Sequence, residues 1–255
     1  PTTNVTDPGF PALLKTEKRF YEGKPTAGLS TETHWNYDLF GNITHYTETG
    51  DGTPEDRLQA VIEYHNLPSV GVSSIPKSIQ VQAGALIDIR RRETSIDNRA
   101  NVMQIRQYLD SNTSANFDME YDNYGNLSKI TRPPNDSMQR LWFAYGYDPV
   151  VHTYVVKTTD TFGLSSTAVY DYLYGQLLES TDANGQQMKY TIDAQGRIIT
   201  ITGPYEKDYT IAFDYYPDAP VPYATTRHYD PETKLDIETY TFMDGLMRPV
   251  QVKKT

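Results

Sequence analysis

The chain contains no cysteine, which excludes disulfide bridges, thiolate metal sites and a cysteine nucleophile together. Its five histidines (His34, His45, His65, His152 and His228) are scattered. None falls in the H-x-x-H, H-E-x-x-H or i, i+4 pairing that a metal site draws on. There is no G-x-S-x-G elbow and no glycine-rich phosphate loop. No apolar run reaches membrane-crossing length, so no membrane span is expected, and no signal segment is recognised. The chain opens at Pro1 without Met and is expected to be a piece of a longer polypeptide. Lys and Arg number 23 against 33 Asp and Glu, a net charge of −10, and no basic stripe alternates with aromatics. Phosphate neutralisation needs clustered cations, so nucleic acid is disfavoured as a partner. The one basic run, Arg90-Arg91-Arg92, reads as a solvated strand end.

What the chain has is tyrosine, 21 of 255 residues, against a hydrophobic content of only 38%. That balance predicts half-exposed sheets with tyrosines laid across them rather than one thick aliphatic core. It also has a recurring phrase. Tyr37-Asp38-Leu39-Phe40-Gly41-Asn42-Ile43 returns as Tyr121-Asp122-Asn123-Tyr124-Gly125-Asn126-Leu127 and again as Ile192-Asp193-Ala194-Gln195-Gly196-Arg197-Ile198. Asp and Gly stand three apart, as positions i and i+3 of a type I turn. The Asp carboxylate caps a following N–H there, and the Gly takes the positive φ that releases the next strand. Tyr before the turn and Ile or Leu after it suit strands, so each phrase reads as a hairpin tip.

Looser copies fill the gaps: Asp160 with Gly163, Asp182 with Gly185, and Asp171 with Gly175, the last carrying one extra residue. Asp97 has Ala100 in the glycine place, and Asp244 has Met247 there. Asp160, Asp171, Asp182 and Asp193 follow one another at steps of 11 (171−160, 182−171, 193−182). Such a step accommodates a turn of about four residues and a strand of about seven. Successive turns then fall at alternate ends, which makes an all-β antiparallel meander. A β-propeller would repeat at about 40–50 residues instead.

Residues 1–36 read as an irregular entry segment and 37–255 as the repeat region. The stretch from Glu48 to about Ser74 fits a short helix capped at Thr53-Pro54-Glu55-Asp56 with Leu58, Val61 and Ile62 apolar, or a strand running into Tyr64; the strand is preferred. Alternation predicts strands at Ile79 and Val81, at Ile87 and Ile89, at Met188, Tyr190 and Ile192, and at Ile211, Phe213 and Tyr215. Pro133-Pro134 and the run from Pro217 to Pro222 mark longer loops.

These Y-D-x-x-G-[N/R]-aliphatic phrases resemble the YD repeats of RHS proteins over about Tyr37 to Val252, and the ending from Phe242 to Val250 is also similar. Within that family the chain is most similar to the shell-forming (SpvB/TcdB-like) components of bacterial insecticidal toxin complexes; animal teneurins are more distant. The resemblance implies a β-sheet that forms part of a spiralling shell enclosing a C-terminal toxic domain. It implies as partners the remainder of the parent chain, its toxin cargo and other toxin-complex subunits, and a bacterial secreted or cell-surface location. Tyr229-Asp230-Pro231-Glu232-Thr233 echoes the Y-D-P-x-T-G opening of the family's self-cleaving core. Lys234 stands in the Gly place, however, and no D-P-x-G follows, so the stretch is read as another turn and no catalytic residue is carried over.

The remaining candidates are weighed against structural roles. Tyr170, Tyr172 and Tyr174 would form either a sugar-binding or cargo-facing platform or cross-strand packing. A glycosidase needs two carboxylates about 5–10 Å apart in one cleft, a relation sequence does not show. The most regular aspartates already cap turns. The loop from Asp51 to Asp56 lacks the spacing of a calcium loop, and Asn4-Val5-Thr6 and Asn42-Ile43-Thr44 match glycosylation acceptors. The reading is a non-enzymatic shell segment without cofactor. A surface adhesion or carbohydrate-binding module and a glycan-active enzyme are the alternatives.

Overall fold

The computed structural model describes residues 11–50, 53, 56–84, 87–206 and 208–255. The acceptor at Asn4 and most of the helix-cap and calcium-loop stretch (51, 52, 54 and 55) lie outside them. The described residues fold into nineteen antiparallel strands with no α-helix, each strand followed by its neighbour in a meander. The chain forms two compact units, which meet in sequence at 142/143.

The first unit holds β1 (Lys15–Phe20), β2 (Leu29–Tyr37), β3 (Ile43–Thr49), β4 (Leu58–Leu67), β5 (Val72–Ala83), β6 (Ile87–Ile96), β7 (Val102–Tyr108), β8 (Ser114–Tyr121) and β9 (Leu127–Pro134). β10 (Arg140–Tyr147) contains the boundary. The second unit continues with β11 (Val155–Asp160), β12 (Ser165–Tyr170), β13 (Leu177–Thr181), β14 (Gln187–Ile192), β15 (Ile198–Thr202), β16 (Ile211–Tyr216), β17 (Tyr223–Asp230), β18 (Leu235–Met243) and β19 (Pro249–Lys254).

Several expectations shift in detail. The stretch into Tyr64 is strand β4. Residues expected to form an irregular entry contain β1 and most of β2, paired from Lys15↔His34 to Phe20↔Leu29; the Thr- and Lys-containing run at 15–20 suits a strand despite the Pro and Gly around it. Pro133 and Pro134 close β9 rather than open a loop, a position where a missing N–H costs little. Arg90, Arg91 and Arg92 lie within β6 and are exposed. In the stretch of 11-residue steps the strands are five or six residues long, not seven, because the turn reaction of each Asp extends to the fourth or fifth residue after it.

Burial is sparse. Among the described residues only Met119 and Ala212 are buried apolar side chains, and Asp148 and Thr225 are buried polar ones. The substantial contacts join sequence-adjacent elements. The chain therefore gains its order from neighbour-to-neighbour pairing, as repeat proteins do.

Candidate functional site

The turns are the chemically richest places, and a single aspartate carboxylate organises most of them. At Asp122, Oδ1 accepts the backbone N–H groups of Tyr124 and Asn126 at 2.8 and 2.9 Å, and Oδ2 accepts the Asn126 carboxamide at 3.1 Å. The Asp122 N–H donates to the Asn126 carbonyl, and the Gly125 N–H donates to the Asp122 carbonyl. Gly125 takes φ +88°. The same pattern stands at Asp38 with Gly41, Asp160 with Gly163, Asp182 with Gly185 and Asp193 with Gly196. At Asp171, with Gly175, the loop is one residue longer and Oδ1 accepts from Leu173 and Tyr174.

The carboxylate, not the glycine, defines the motif. Asp97 and Asp244 build the same turn with Ala100 at φ +67° and Met247 at φ +59° in the glycine place. Asn135 does so with its amide oxygen and Met138 at φ +59°, and Asp230 builds the longer form seen at Asp171, with Lys234 at φ +57°. Left-handed backbone costs a non-glycine residue about 1–2 kcal/mol, and the capped N–H groups offset that cost. Asn135 and Asp110, whose Oδ1 accepts from Asn112 and Thr113, were not singled out from sequence. An Asx followed by two or three polar residues between strands was the signal available.

Asp148 is the largest member of the set. Wholly shielded from solvent, it accepts five backbone N–H groups: those of Val150, Val151 and His152 on Oδ1 and those of Thr153 and Tyr154 on Oδ2. Burial pushes its carboxyl up, but the bonds from Tyr154, Val151, Thr153 and Val150 outweigh that and hold it far below the ordinary aspartate value. Asp122 is likewise lowered: burial raises it, and the backbone and carboxamide bonds from Asn126, with Tyr124 and Gly125, more than compensate. At Asp244 the Arg248 side chain and backbone do the lowering.

Within each unit, turns after even-numbered strands lie on one edge and turns after odd-numbered strands on the other, as antiparallel succession requires. The two edges differ. On the even edge the register slips by one residue just before the turn: between Asn36 and Tyr37, Ser95 and Ile96, Glu120 and Tyr121, Gly146 and Tyr147, Val169 and Tyr170, Thr191 and Ile192, and Phe242 and Met243. Each slip is a β-bulge that leaves the second residue of the outgoing strand unpaired, for example Met103, Ser128 and Ile199. On the odd edge, β7–β8, β11–β12, β13–β14 and β17–β18 run without a slip; each edge has an exception, β5–β6 slipping between Val81 and Gln82 and β16–β17 staying in step.

A bulge releases a carbonyl from the ladder, and tyrosine hydroxyls collect these carbonyls. Tyr64 donates to the Ile43 carbonyl at 2.9 Å, Tyr121 to Val102 at 3.0 Å and Tyr215 to Ile198 at 2.8 Å. In each case the acceptor is the first residue after an even-edge turn. Burial, the first cause in all three, pushes these phenols up. Side chains also join turns along an edge. Tyr174 donates to the Ala194 carbonyl at 2.6 Å while its ring lies on Gly196, and Arg99 donates to the Asn123 carbonyl at 2.9 Å beside Gly125.

The three tyrosines proposed as a platform are placed separately. Tyr170 ends β12, and Tyr172 and Tyr174 lie in the turn that follows. Tyr154 stacks on Tyr170 at 4.8 Å and on Tyr172 at 6.0 Å between centroids, while Tyr174 reaches across to the neighbouring turn at Ala194. A shallow groove of about 400 Å³ beside Tyr170 is lined by Lys157, Ser166, Thr167, Ser180 and Thr181. A wider cavity of about 660 Å³ brings Glu206 and Asp208 together with Tyr205, Tyr209, Tyr229 and Pro231. Among the described residues no group of three His, Cys, Asp or Glu is placed to hold a metal, and no helix is long and apolar enough to cross a membrane.

No protein-family model matches the sequence, and no curated protein matches it. Solved structures do match. "Crystal Structure of TcdB2-TccC3 without hypervariable C-terminal region" superposes with a TM-score of 0.63 at 13% identity, over 94% of this chain and 22% of that one. The TcdB2-TccC3-TEV structure covers 94% of this chain and 14% of that one at 12% identity, with a TM-score of 0.44. A Photorhabdus luminescens Tc holotoxin pore structure covers 93% and 15% at 10% identity, with a TM-score of 0.37. The first of these establishes the fold: the meander of the present chain is one found in the TcdB2-TccC3 structure. The chain spans about a fifth of the length of that protein.

Proposed function

We propose that this chain is a stretch of RHS-type shell wall that encloses and helps deliver a toxic C-terminal domain of its parent polypeptide, and that it performs no catalysis itself. One observation carries the reading. The chain exposes 17432 Å², whereas a self-contained monomer of its 29.0 kDa exposes about 11,000 Å². A sheet that hides so little of itself suits a wall between two aqueous spaces. The likeness to TcdB2-TccC3 in fold supports the same reading. So does the use of the regular aspartates as turn caps, which takes them out of acid–base chemistry. The partners of such a wall are the rest of its chain, the enclosed domain and further toxin-complex subunits, in a secreted or surface-displayed bacterial assembly.

The test is protease protection in the parent polypeptide. Its C-terminal segment should survive an amount of protease that digests the same segment made alone; equal digestion of both would sink encapsulation. The adhesion reading draws on the Tyr154, Tyr170 and Tyr172 stack. A glycan array probed with this chain and with Tyr172→Ala favours adhesion if one glycan binds only the unaltered chain.

A further inference from the structure

Three times in this chain an arginine, a tyrosine ring and a carboxylate form one cluster. Arg91 lies over Tyr108 with its Cζ 4.4 Å from the ring centroid, and Glu93 both pairs with that guanidinium and accepts the Tyr108 hydroxyl at 2.8 Å. Arg197 lies 4.5 Å over Tyr215 with Nε 2.6 Å from Asp193 Oδ2. Arg227 lies 5.7 Å from the Tyr209 centroid with Nη2 3.0 Å from Asp214 Oδ2. The physical reason is shared: a planar, weakly hydrated guanidinium gains from a ring face and from a carboxylate edge at once.

Beside the third cluster, sharing its Tyr209, the second unit gathers more groups of the same kind. Tyr205, Tyr209 and Tyr229 line the cavity of about 660 Å³ with Glu206, Asp208 and Pro231, and no arginine or lysine is among its described lining residues. Its groups are held in place. The Tyr209 hydroxyl donates to Asp236 Oδ2 at 2.6 Å, and Gln186 Nε2 donates to the Tyr205 hydroxyl at 2.9 Å. Thr210 Oγ1 donates to Glu206 Oε2 at 2.9 Å while accepting the Gly203 N–H at 2.7 Å. Tyr205 nonetheless stays 81% exposed, so a ligand reaches its ring without displacing protein.

We propose that this cavity binds a guanidinium group supplied from outside the chain, seated between the Tyr205 and Tyr229 rings and the Glu206 and Asp208 carboxylates. Its volume admits the alkyl stem that carries such a group as well as the group itself. The source is either a free small guanidine or an arginine side chain of another polypeptide, and the chemistry is the same. The site stands on the geometry of the second unit alone, so its failure leaves the shell reading untouched.

The experiment is an NMR titration of the chain with ethylguanidine, with the peptide acetyl-Gly-Arg-Gly-amide and with ethylamine. Lys207 stands between the two acids in sequence, so Lys207→Ala is titrated in parallel to keep the chain's own ammonium from competing. Saturable shifts centred on residues 205–210 and 229, stronger for guanidinium than for ethylamine, are expected. They should weaken roughly threefold or more in Tyr205→Ala, which leaves charge unchanged, and also in Glu206→Gln, but not in Tyr124→Ala. A peptide that binds at least as tightly as ethylguanidine points to an arginine side chain; saturation by ethylguanidine alone points to a free metabolite. Absence of saturation in both the unaltered chain and Lys207→Ala overturns the proposal. So does binding that salt abolishes and Tyr205→Ala leaves intact, since diffuse attraction to a chain of net charge −10 behaves that way.

Discussion

The two edges of the meander use the same five-residue turn and do different things with it. Asp122 and Asp160 accept the same pair of backbone N–H groups, at i+2 and i+4. After the Asp160 turn the strands stay in step, Thr159 opposite Ser165 and Lys157 opposite Thr167. After the Asp122 turn Ser128 drops out, so that Tyr121 faces Leu127 while Glu120 faces Lys129. Bulges sharpen local twist, and here they stand beside most even-edge turns, whereas the other edge has one, between Val81 and Gln82. At Tyr121 they also account for the tyrosine of the repeat: at the end of an even strand, it reaches the Val102 carbonyl beside the previous bulge.

The strongest way to break the comparison is Asp148→Ala. It strands five backbone N–H groups in a loop closed to solvent, and it should lower the thermal midpoint of the second unit more than any other single turn substitution. Calorimetry of the set Asp122→Ala, Asp160→Ala and Asp148→Ala checks the order.

A pair of glycine substitutions separates strain from crowding. At Gly196 a Cβ would lie 2.4 Å from the Tyr174 ring, at φ +77°, whereas at Gly163, at φ +82°, it meets nothing within 4 Å. Gly163→Ala should therefore cost about 1–2 kcal/mol for backbone strain alone. Gly196→Ala should cost about 1–3 kcal/mol more, because it displaces the ring and its bond to Ala194. Equal losses in urea titration would mean that the turn-to-turn contact contributes nothing.

Tyr121→Phe removes a single hydroxyl from the Val102 carbonyl and should cost about 1 kcal/mol; no loss would detach tyrosine from the bulge. Ala100→Gly should do the reverse. Relief of the left-handed cost, less the entropy glycine adds to the unfolded chain, leaves about 0.5–1 kcal/mol of stabilisation, read as a raised urea midpoint.

The pH response is expected to be the flattest. The turn carboxylates have folded values below their ordinary 3.8. Their contribution is complete above the ordinary value and is lost only as pH falls through the lowered one. Circular dichroism should therefore stay constant from pH 7 to about pH 5, with unfolding confined to more acidic solutions. A transition near pH 6 would contradict that assignment.

Much of this was legible from one repeated phrase. Asp at i and Gly at i+3 specify a turn whatever surrounds them, because the carboxylate bonds are local and only left-handed backbone completes them. The 11-residue step then sets which turns share an edge, since each strand reverses the last. Asp148 escaped notice because its loop has no glycine and is longer than its relatives. The role of each tyrosine escaped because a phenol finds its acceptor on another strand or turn, far away in sequence.

The sequence by itself thus determined the all-β meander, its turns and their polarity, through interactions spanning fewer than six residues. Only the tertiary structure decided where register slips, which carbonyls the slips expose and which tyrosines serve them. It also decided that Tyr205, Glu206 and Asp208 share a cavity with Tyr229. Those relations join residues on different strands, and pairing across strands is set by the sheet as a whole.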